Sequence, residues 1–344
     1  MPLGMLAMVA AWAFLPRPTG RMPLRLDVAG IAALAVSVTS IILVTSWGGT
    51  TYAWGSATIL GLAALVVAAA LAFVRIELRA ENPIIPMHLF RDRNFTLATA
   101  IGLIIAIAMF GTIGYLPTYL QMVAGLGATE AGLLLVPMVA GLMATAMLTG
   151  QLVAKHGRYK WMPIVSGVVS SVGLLLLSTI DPGTSLWMIC AYLAVLGAGI
   201  GFGMQILVLI VQNAFPGRQV GTATGANNFF REVGASLGAA AVGSIFTARL
   251  ADALAIRLPS DGSAAIDTNS LTPEAVSQLP SQVQEAVVTA YAEALTPVFA
   301  YLVPFLLAAA LLACFVRERP LAVDLDEELV PSEPAQPVRA PASV

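Results

Sequence analysis

The polar side chains with the most potential for chemistry lie in one apolar stretch near the end of the chain. Residues 220–246 read VGTATGANNFFREVGASLGAAAVGSIF, with Arg231 close to the middle. Asn227 and Asn228 precede Arg231 by four and three residues, so a helix would place all three on one face. Glu232 is rotated by about 100° from Arg231 and is expected to point elsewhere. If this stretch crosses a membrane, Arg231 costs at least about 2.5 kcal/mol to insert and should face protein or water.

Two interpretations of this polar patch remain open. In the first, Arg231, Asn227 and Asn228 line a transport cavity, and Arg231 binds substrate, water or another helix. Gln205, an uncharged polar residue in the preceding apolar stretch, is a further cavity candidate. In the second interpretation, Arg231 donates hydrogen bonds to carbonyl groups between helices and thereby fixes their packing.

The composition indicates an integral membrane protein. The chain is 58% hydrophobic and 10% charged, with a mean hydropathy of +0.86, whereas soluble domains carry about 25% charged residues. Cys190 and Cys314 lie in apolar stretches without the spacing of metal ligands. The sequence shows no nucleophile elbow, phosphate-binding loop or paired carboxylates. We therefore expect no enzyme activity, cofactor, metal site or nucleic-acid partner.

The long apolar stretches predict an all-α protein with about nine transmembrane helices. An α-helix needs about 20 apolar residues to cross the hydrocarbon core, and lipid offers no hydrogen bonds to an irregular backbone. The central pair is a helical hairpin formed by the uncharged stretches 95–123 and 131–154. The other predicted spans are 2–15, 28–47, 54–74, 161–180, 186–211, 220–246 and 297–316. The first has only 14 residues, and we interpret it as the end of a longer helix whose start is missing.

The distribution of positive charge predicts the orientation in the membrane. Fourteen of the 17 Lys and Arg residues fall in one set of alternate loops. These are 16–27, 75–94, 154–160, 212–219 and the segment from 317 onward. The opposite loops contain only Arg249 and Arg257. Positively charged loops stay on the cytoplasmic side, so we expect a multi-pass protein with a cytoplasmic C-terminus.

Glycine pairs spaced four residues apart predict close packing between the later helices. Small residues at this spacing let two helix backbones approach each other. The pairs are Gly197 and Gly201, Gly221 and Gly225, and Gly234 and Gly238. Between the last two spans, residues 248–296 form a long outer segment. Its second part, 281–295, has the apolar period of a surface helix.

The hairpin resembles part of a known transporter family. The segments LPTYLQ and GATEAGLLLVP, followed by GQLVAKHGRYK, resemble the fourteen-helix drug:proton antiporter branch of the major facilitator superfamily. The last segment is similar to that superfamily's loop motif Gly-x-Leu-x-Asp-x-x-Gly-Arg. The matching residues are Gly150, Leu152, Gly157 and Arg158. Ala154 replaces the family's aspartate, so a gating role for that acid is absent.

The resemblance implies a particular organisation of the chain. Residues 95–316 would form the C-terminal six-helix bundle of the family, with the outer loop at 248–296. Residues 16–94 would contain two linker helices and a cytoplasmic loop. Residues 1–15 would be a truncated transmembrane helix, with Met1 as an internal start. Residues 317–344, which are rich in Pro, Ala and acids, would form a disordered cytoplasmic tail.

The resemblance also implies a function in the bacterial inner membrane. It predicts proton-coupled efflux of hydrophobic, often cationic, drugs or related small molecules. The partners would then be the lipid bilayer, the substrate and protons as the coupling ion. The family's proton-coupling carboxylates belong to an N-terminal half that this sequence does not contain. Two alternatives remain: a non-transporting membrane half that pairs with a separate N-terminal half, and an inert gene fragment.

Overall fold

A computed structural model describes residues 27–49, 51–257 and 273–320, together with Gly4, Met5, Met8 and Ala10. The described residues form an all-helical protein without β-strands, as the composition predicted. Three expectations fall largely outside these residues: the partial span at 2–15, the middle of the outer loop at 258–272, and the tail from 321 to 344.

The chain first forms a hairpin of two apolar helices, α1 (Val28–Trp47) and α2 (Ala57–Glu77). Each begins at a side chain that accepts a backbone hydrogen bond: Asp27 from Gly30 in α1 and Ser56 from Ile59 in α2. The Glu77 carboxylate accepts the N–H groups of residues 84 and 85 at 3.2 and 3.3 Å. It therefore folds the following loop back against the end of α2, ahead of a short 3-10 helix (Met87–Arg91).

The remaining helices form one bundle. They are α3 (Arg93–Val123), α4 (Ala128–Leu133), α5 (Val136–His156), α6 (Trp161–Leu177), α7 (Leu186–Gln212), α8 (Gly217–Arg257), α9 (Pro273–Ser277) and α10 (Ser281–Cys314). The main packing partners are α3 with α8, α7 with both α5 and α6, and α10 with α6, α3 and α8. Fully buried side chains such as Phe95, Leu193 and Phe299 fill the spaces between these helices.

Seven described helices are long and apolar enough to cross a membrane, counting α4 and α5 together as one. Helix α6 is also apolar but has 17 residues, or about 26 Å of helix at 1.5 Å per residue. The described spans agree closely with those predicted from the apolar stretches. Helix α1, for example, begins and ends at the predicted residues. The prediction of an all-helical membrane protein is therefore confirmed.

The glycine pairs differ in their surroundings. Gly234 and Gly238 of α8 lie against the backbone of Leu103 and Ile107 in α3, where a Cβ atom would clash. Gly197 and Gly201 of α7 likewise meet the α5 backbone, at Met138 and Leu142. Around Gly221 and Gly225, in contrast, a Cβ atom would meet nothing within 4 Å.

The outer segment is more helical than the sequence indicated. Helix α8 continues to Arg257, and α10 is one helix from Ser281 to Cys314, with Pro297 and Pro304 inside it. The expectation of a separate surface helix at 281–295 was wrong. Its apolar face is buried instead: Tyr291 is 4% exposed and its ring centroid lies 4.7 Å from that of Phe246 in α8. Packing against the extended α8 supports the helix, and membrane helices tolerate interior proline.

The second arm of the hairpin is interrupted. The sequence predicted one helix over 131–154, whereas α4 ends at Leu133 and α5 begins at Val136. Pro137 occupies the first turn of α5, where the N–H group that proline lacks has no partner within the helix. The break therefore costs few backbone hydrogen bonds.

Candidate transport cavity

Arg231 lies at a small cavity between three helices. Nine residues line it: Gly102, Ile105, Ala106, Met109 and Phe110 of α3, Met204 and Leu207 of α7, and Asn227 and Arg231 of α8. The cavity volume is about 10 Å³, close to the minimum that holds one water molecule. Seven of the nine lining residues are apolar, so the Asn227 amide and the Arg231 guanidinium provide the polar groups that could orient a ligand.

The structure brings two of the four predicted cavity residues together. Asn227 is 4% exposed, and its side-chain amide donates a hydrogen bond to Thr99 Oγ1 of α3 at 3.2 Å. Asn228 is absent from the cavity lining, although its Oδ1 is also buried and has no hydrogen-bond partner among the described residues. Gln205 is exposed on α7, beside the lining residue Met204 but outside the lining itself.

Glu232 is closer to Arg231 than the sequence indicated. A carboxylate oxygen of Glu232 lies 3.7 Å from Nη2 of Arg231. The two side chains start about 100° apart around the helix, but both are long enough to approach each other across this rotation. The Arg231 side chain is 26% exposed and the Glu232 side chain is 66% exposed. The guanidinium of Arg231 is therefore mostly enclosed, whereas the carboxylate of Glu232 lies on an open surface.

Thr99 is a site residue that the sequence reasoning missed. It lies seven residues into α3 and 128 positions before its partner Asn227. No local pattern marks it, because threonine in an apolar helix commonly bonds to its own backbone. Only the packing of α3 against α8 brings the two polar groups together.

The residues of the predicted loop motif lie at the C-terminal end of α5. Gly157 ends the helix in the left-handed conformation, with φ of +67°, which glycine adopts without steric cost. Its N–H group donates to the carbonyl of Val153 at 2.8 Å. Leu152 is half-buried, whereas Gly150 and Arg158 are exposed. Of these four residues, the glycine at position 157 has a conformational role in the helix end.

The segment after α10 contacts residues at the ends of several helices. Arg319 forms an ion pair with Asp92 at 2.7 Å, and Asn94 exchanges two hydrogen bonds with the backbone of Arg317. The Tyr159 hydroxyl accepts from the N–H group of Arg319 and donates to its carbonyl. Residues 317–320 are thus held in place, although the sequence predicted a disordered tail from 317 onward.

The helical bundle is similar in fold to a solved membrane-protein structure. One solved structure, a bacterial homologue of the human lysosomal transporter Spinster in an inward-facing conformation, superposes with a TM-score of 0.57. The alignment covers 84% of this chain and 67% of that one, at 16% sequence identity. At this identity the likeness concerns the fold alone.

The sequence comparisons identify the family. The model of the Major Facilitator Superfamily matches residues 1–239. An uncharacterized MFS-type transporter of Mycobacterium tuberculosis is 42% identical over 300 residues, which cover 86% of this chain. The multidrug transporter protein MdtP of Bacillus subtilis is 34% identical over 82% of the chain. A tetracycline resistance determinant of Streptomyces rimosus is 38% identical over 67% of the chain. The chain belongs to the Major Facilitator Superfamily, whose members are transporters and not enzymes.

The chain spans only part of the length of these relatives. The matched region covers 43% of the M. tuberculosis transporter, 56% of MdtP and 67% of the tetracycline resistance determinant. The activity of a whole transporter is therefore a matter for proposal.

Proposed function

We propose that this chain supplies the linker helices and C-terminal six-helix bundle of a proton-coupled exporter of hydrophobic drugs in the bacterial plasma membrane. The observation that carries the proposal is the cavity between α3, α7 and α8, with Arg231 and Asn227 as its polar groups. The names of the relatives support export as the direction, since they include a multidrug transporter and a tetracycline resistance determinant.

The surroundings of Arg231 favour a role in transport. A guanidinium group within the hydrocarbon region is costly unless it faces protein or water. Arg231 faces a cavity in which Asn227 is the other polar lining residue. Its Nη2 atom lies 3.7 Å from the Glu232 carboxylate, within ion-pair distance but too far for a hydrogen bond. It therefore retains hydrogen-bond donors for a water molecule or a substrate group. In transporters of this architecture, two halves rock around a site near the middle of the membrane.

A second candidate is a membrane half that pairs with a separate N-terminal half and does not transport by itself. The open surroundings of Gly221 and Gly225 on α8 favour it, because they provide a face where another helix could approach.

Efflux of ethidium from cells tests the exporter proposal. The complete reading frame that contains this chain would be expressed in a drug-sensitive bacterium, and dye efflux followed after re-energisation. We expect Arg231→Ala to reduce the efflux rate about tenfold or more, because a charged hydrogen-bonding group in the cavity is lost. We expect a protonophore to abolish the efflux of the unaltered protein.

Arg79→Ala serves as a matched control, because it removes an exposed arginine outside the cavity and outside the loop motif. Membrane abundance of each variant would be measured by immunoblot. Efflux by Arg231→Ala equal to that of the unaltered protein would remove this residue from the transport site. A complete absence of efflux from the unaltered protein, with normal abundance, would favour the pairing half.

A further inference from the structure

A pocket with charged walls lies where α8 and α10 extend past the predicted spans 220–246 and 297–316. Its volume is about 450 Å³, and it is lined by Arg249, Asp252, Ala253, Ile256 and Arg257 of α8 and by Glu293 of α10. We call it the α8–α10 pocket. The predicted span of α8 ends three residues before Arg249, which is about 4.5 Å of helix. Arg249 therefore falls in the headgroup region of a bilayer, just outside the hydrocarbon core.

The Arg249 guanidinium is held in place by α10 but has no carboxylate partner. Its Nη1 donates to the Tyr301 hydroxyl at 3.1 Å, and its Nη2 donates to the backbone carbonyl of Glu293 at 3.4 Å. Its Nε is buried without a hydrogen-bond partner, and no carboxylate of the described residues lies within ion-pair distance. A guanidinium has five N–H donors. Arg249 therefore keeps both its positive charge and unused donors for an anion.

Asp252 supplies the opposite charge one turn further along α8. It follows Arg249 by three residues, and residues at this spacing are neighbours on a helix face, about 5–6 Å apart. Asp252 is exposed and forms no ion pair with a described residue. The other two charged residues of the pocket, Arg257 and Glu293, neutralise each other through two hydrogen bonds. The pocket therefore presents one unpaired cation next to one unpaired carboxylate.

We propose that the α8–α10 pocket binds the headgroup of a phosphatidylethanolamine lipid, with its phosphate at Arg249 and its ammonium group at Asp252. Guanidinium groups bind phosphate oxygens through paired hydrogen bonds, and carboxylates accept the N–H donors of an ammonium group. The headgroup carries its two charges on groups joined by two methylenes, and the pocket carries the complementary charges one helical turn apart. Tyr301, which bonds to Arg249, is 48% exposed, and tyrosine is enriched where membrane meets water.

Other occupants match only one of the two unpaired charges. Phosphatidylglycerol has the phosphate but no cation, so Asp252 would be left without a partner. Phosphatidylcholine has both charges, but its trimethylammonium group has no N–H donor for the carboxylate. An inorganic anion would bind Arg249 alone. Ca²⁺ takes six or more oxygen ligands, whereas Asp252 is the only carboxylate of the pocket without an ion pair among the described residues.

Native mass spectrometry of the purified protein tests this proposal, because it counts the lipids bound to each molecule. Phosphatidylethanolamine, phosphatidylglycerol and phosphatidylcholine with identical acyl chains would each be titrated into the detergent-solubilised protein. We expect one tightly bound phosphatidylethanolamine, with an affinity about tenfold higher than that of the other two lipids. Arg249→Gln should lower this affinity about tenfold, because the phosphate loses a charged donor. Arg249→Lys keeps the charge but not the paired donors, and should lower it less.

A second variant tests headgroup recognition separately from folding. Asp252 is exposed, so Asp252→Asn should fold normally even if Arg249→Gln does not. We expect it to remove the preference for phosphatidylethanolamine over phosphatidylcholine and to leave the affinity for phosphatidylcholine nearly unchanged. A purely structural role of Asp252 would not alter this preference. Glu285→Gln is the matched control, because it removes an exposed carboxylate of α10 outside the pocket and should leave all three affinities unchanged.

Soluble glycerophosphoethanolamine distinguishes a lipid from a free ligand with the same headgroup. We expect it to displace the bound lipid only at about a hundredfold higher concentration, because it lacks the apolar chains. Displacement at equal concentration would identify a site for the free headgroup and overturn the assignment to a lipid.

Two further outcomes would overturn the proposal: equal affinities of the unaltered protein for the three lipids, and an unchanged lipid preference in Asp252→Asn. None of these measurements depends on efflux. The lipid proposal and the exporter proposal can therefore fail separately, the first in the lipid titration and the second in the Arg231→Ala efflux assay.

Discussion

Helix α8 has two long faces that are packed in different ways. On the α3 side, Gly234 and Gly238 bring two backbones into contact, and Asn227 bonds to Thr99. On the α1 side, Gly221 and Gly225 meet nothing within 4 Å of a Cβ position, and two pockets remain open. The glycine pairs have the same spacing on both sides. Spacing alone therefore does not determine whether a small residue packs closely or leaves room for a ligand.

The two faces also divide the polar groups of the helix. The α3 side, which we call the tight side, contains the buried amide of Asn227, which donates a hydrogen bond to the hydroxyl of Thr99 in α3. The α1 side, which we call the open side, contains the Glu232 carboxylate, which is 66% exposed and lies 3.7 Å from the Arg231 guanidinium of the same helix. Buried polar groups are usually satisfied by partners, whereas a group that is left available at membrane depth is a candidate for function. We therefore expect glycine substitutions on the α3 face to lower stability more than those on the α1 face.

Replacing glycine on the two faces should produce the largest difference. In Gly238→Leu, the new side chain must displace the backbone of Ile107, so we expect a loss of stability of about 3 kcal/mol or more. Gly225→Leu, on the open face, should change stability by less than about 0.5 kcal/mol. Thermal unfolding of each variant in detergent, followed by fluorescence-detected size exclusion, would measure both.

Equal unfolding temperatures for these two variants would contradict the distinction between the faces. Gly234→Leu provides an independent repeat on the tight side, because its Cβ would meet the backbone of Leu103. Gly221→Leu is the corresponding second substitution on the open side, where a Cβ atom would also meet nothing within 4 Å.

The sequence predicted most of the fold but only part of this arrangement. Hydrophobic length identified α1 and α7 almost to the residue, because lipid imposes helix on any long apolar run. It did not predict that α8 and α10 extend through the outer segment to Arg257 and from Ser281, or that they pack through Phe246 and Tyr291. The outer segment contains polar residues between its apolar ones, and its burial depends on contacts between distant parts of the chain.

The sequence also predicted one central residue of the candidate site. Arg231 was found from the cost of a charge at membrane depth, without knowledge of its neighbours. Its partners in the cavity come from α3 and α7, and Thr99 has no sequence feature that connects it to Asn227. The distance between Arg231 and Glu232 depends on side-chain conformation, which helical rotation does not determine. The positions of backbones followed from composition, whereas contacts between side chains required the structure.

The hydrogen bond between Asn227 and Thr99 should contribute a moderate amount to the tight face. We expect Asn227→Leu to destabilise the protein by about 1–3 kcal/mol, because the hydroxyl of a buried threonine loses its partner. Thr99→Val should cost less, and the double variant should cost less than the sum of the two. A double-mutant cycle from thermal or denaturant unfolding would measure the coupling, for which we expect about 0.5–1.5 kcal/mol.

Additive effects in this cycle would show that the two groups do not interact. Ser236→Ala is a suitable control on the open face. Its hydroxyl donates to the carbonyl of Glu232 in its own helix at 3.1 Å, so its removal should not separate two helices.

The smallest effect on stability is expected at Glu232. Its contact with Arg231 is 3.7 Å long and the Glu232 side chain is 66% exposed, and exposed ion pairs contribute about 0–1 kcal/mol. Glu232→Gln should therefore shift the unfolding temperature less than Asn227→Leu does. A large loss of stability in Glu232→Gln, measured by the same unfolding assay, would show that the carboxylate is part of the packing. The open face of α8 would then be structural as well, and the division between its two faces would not hold.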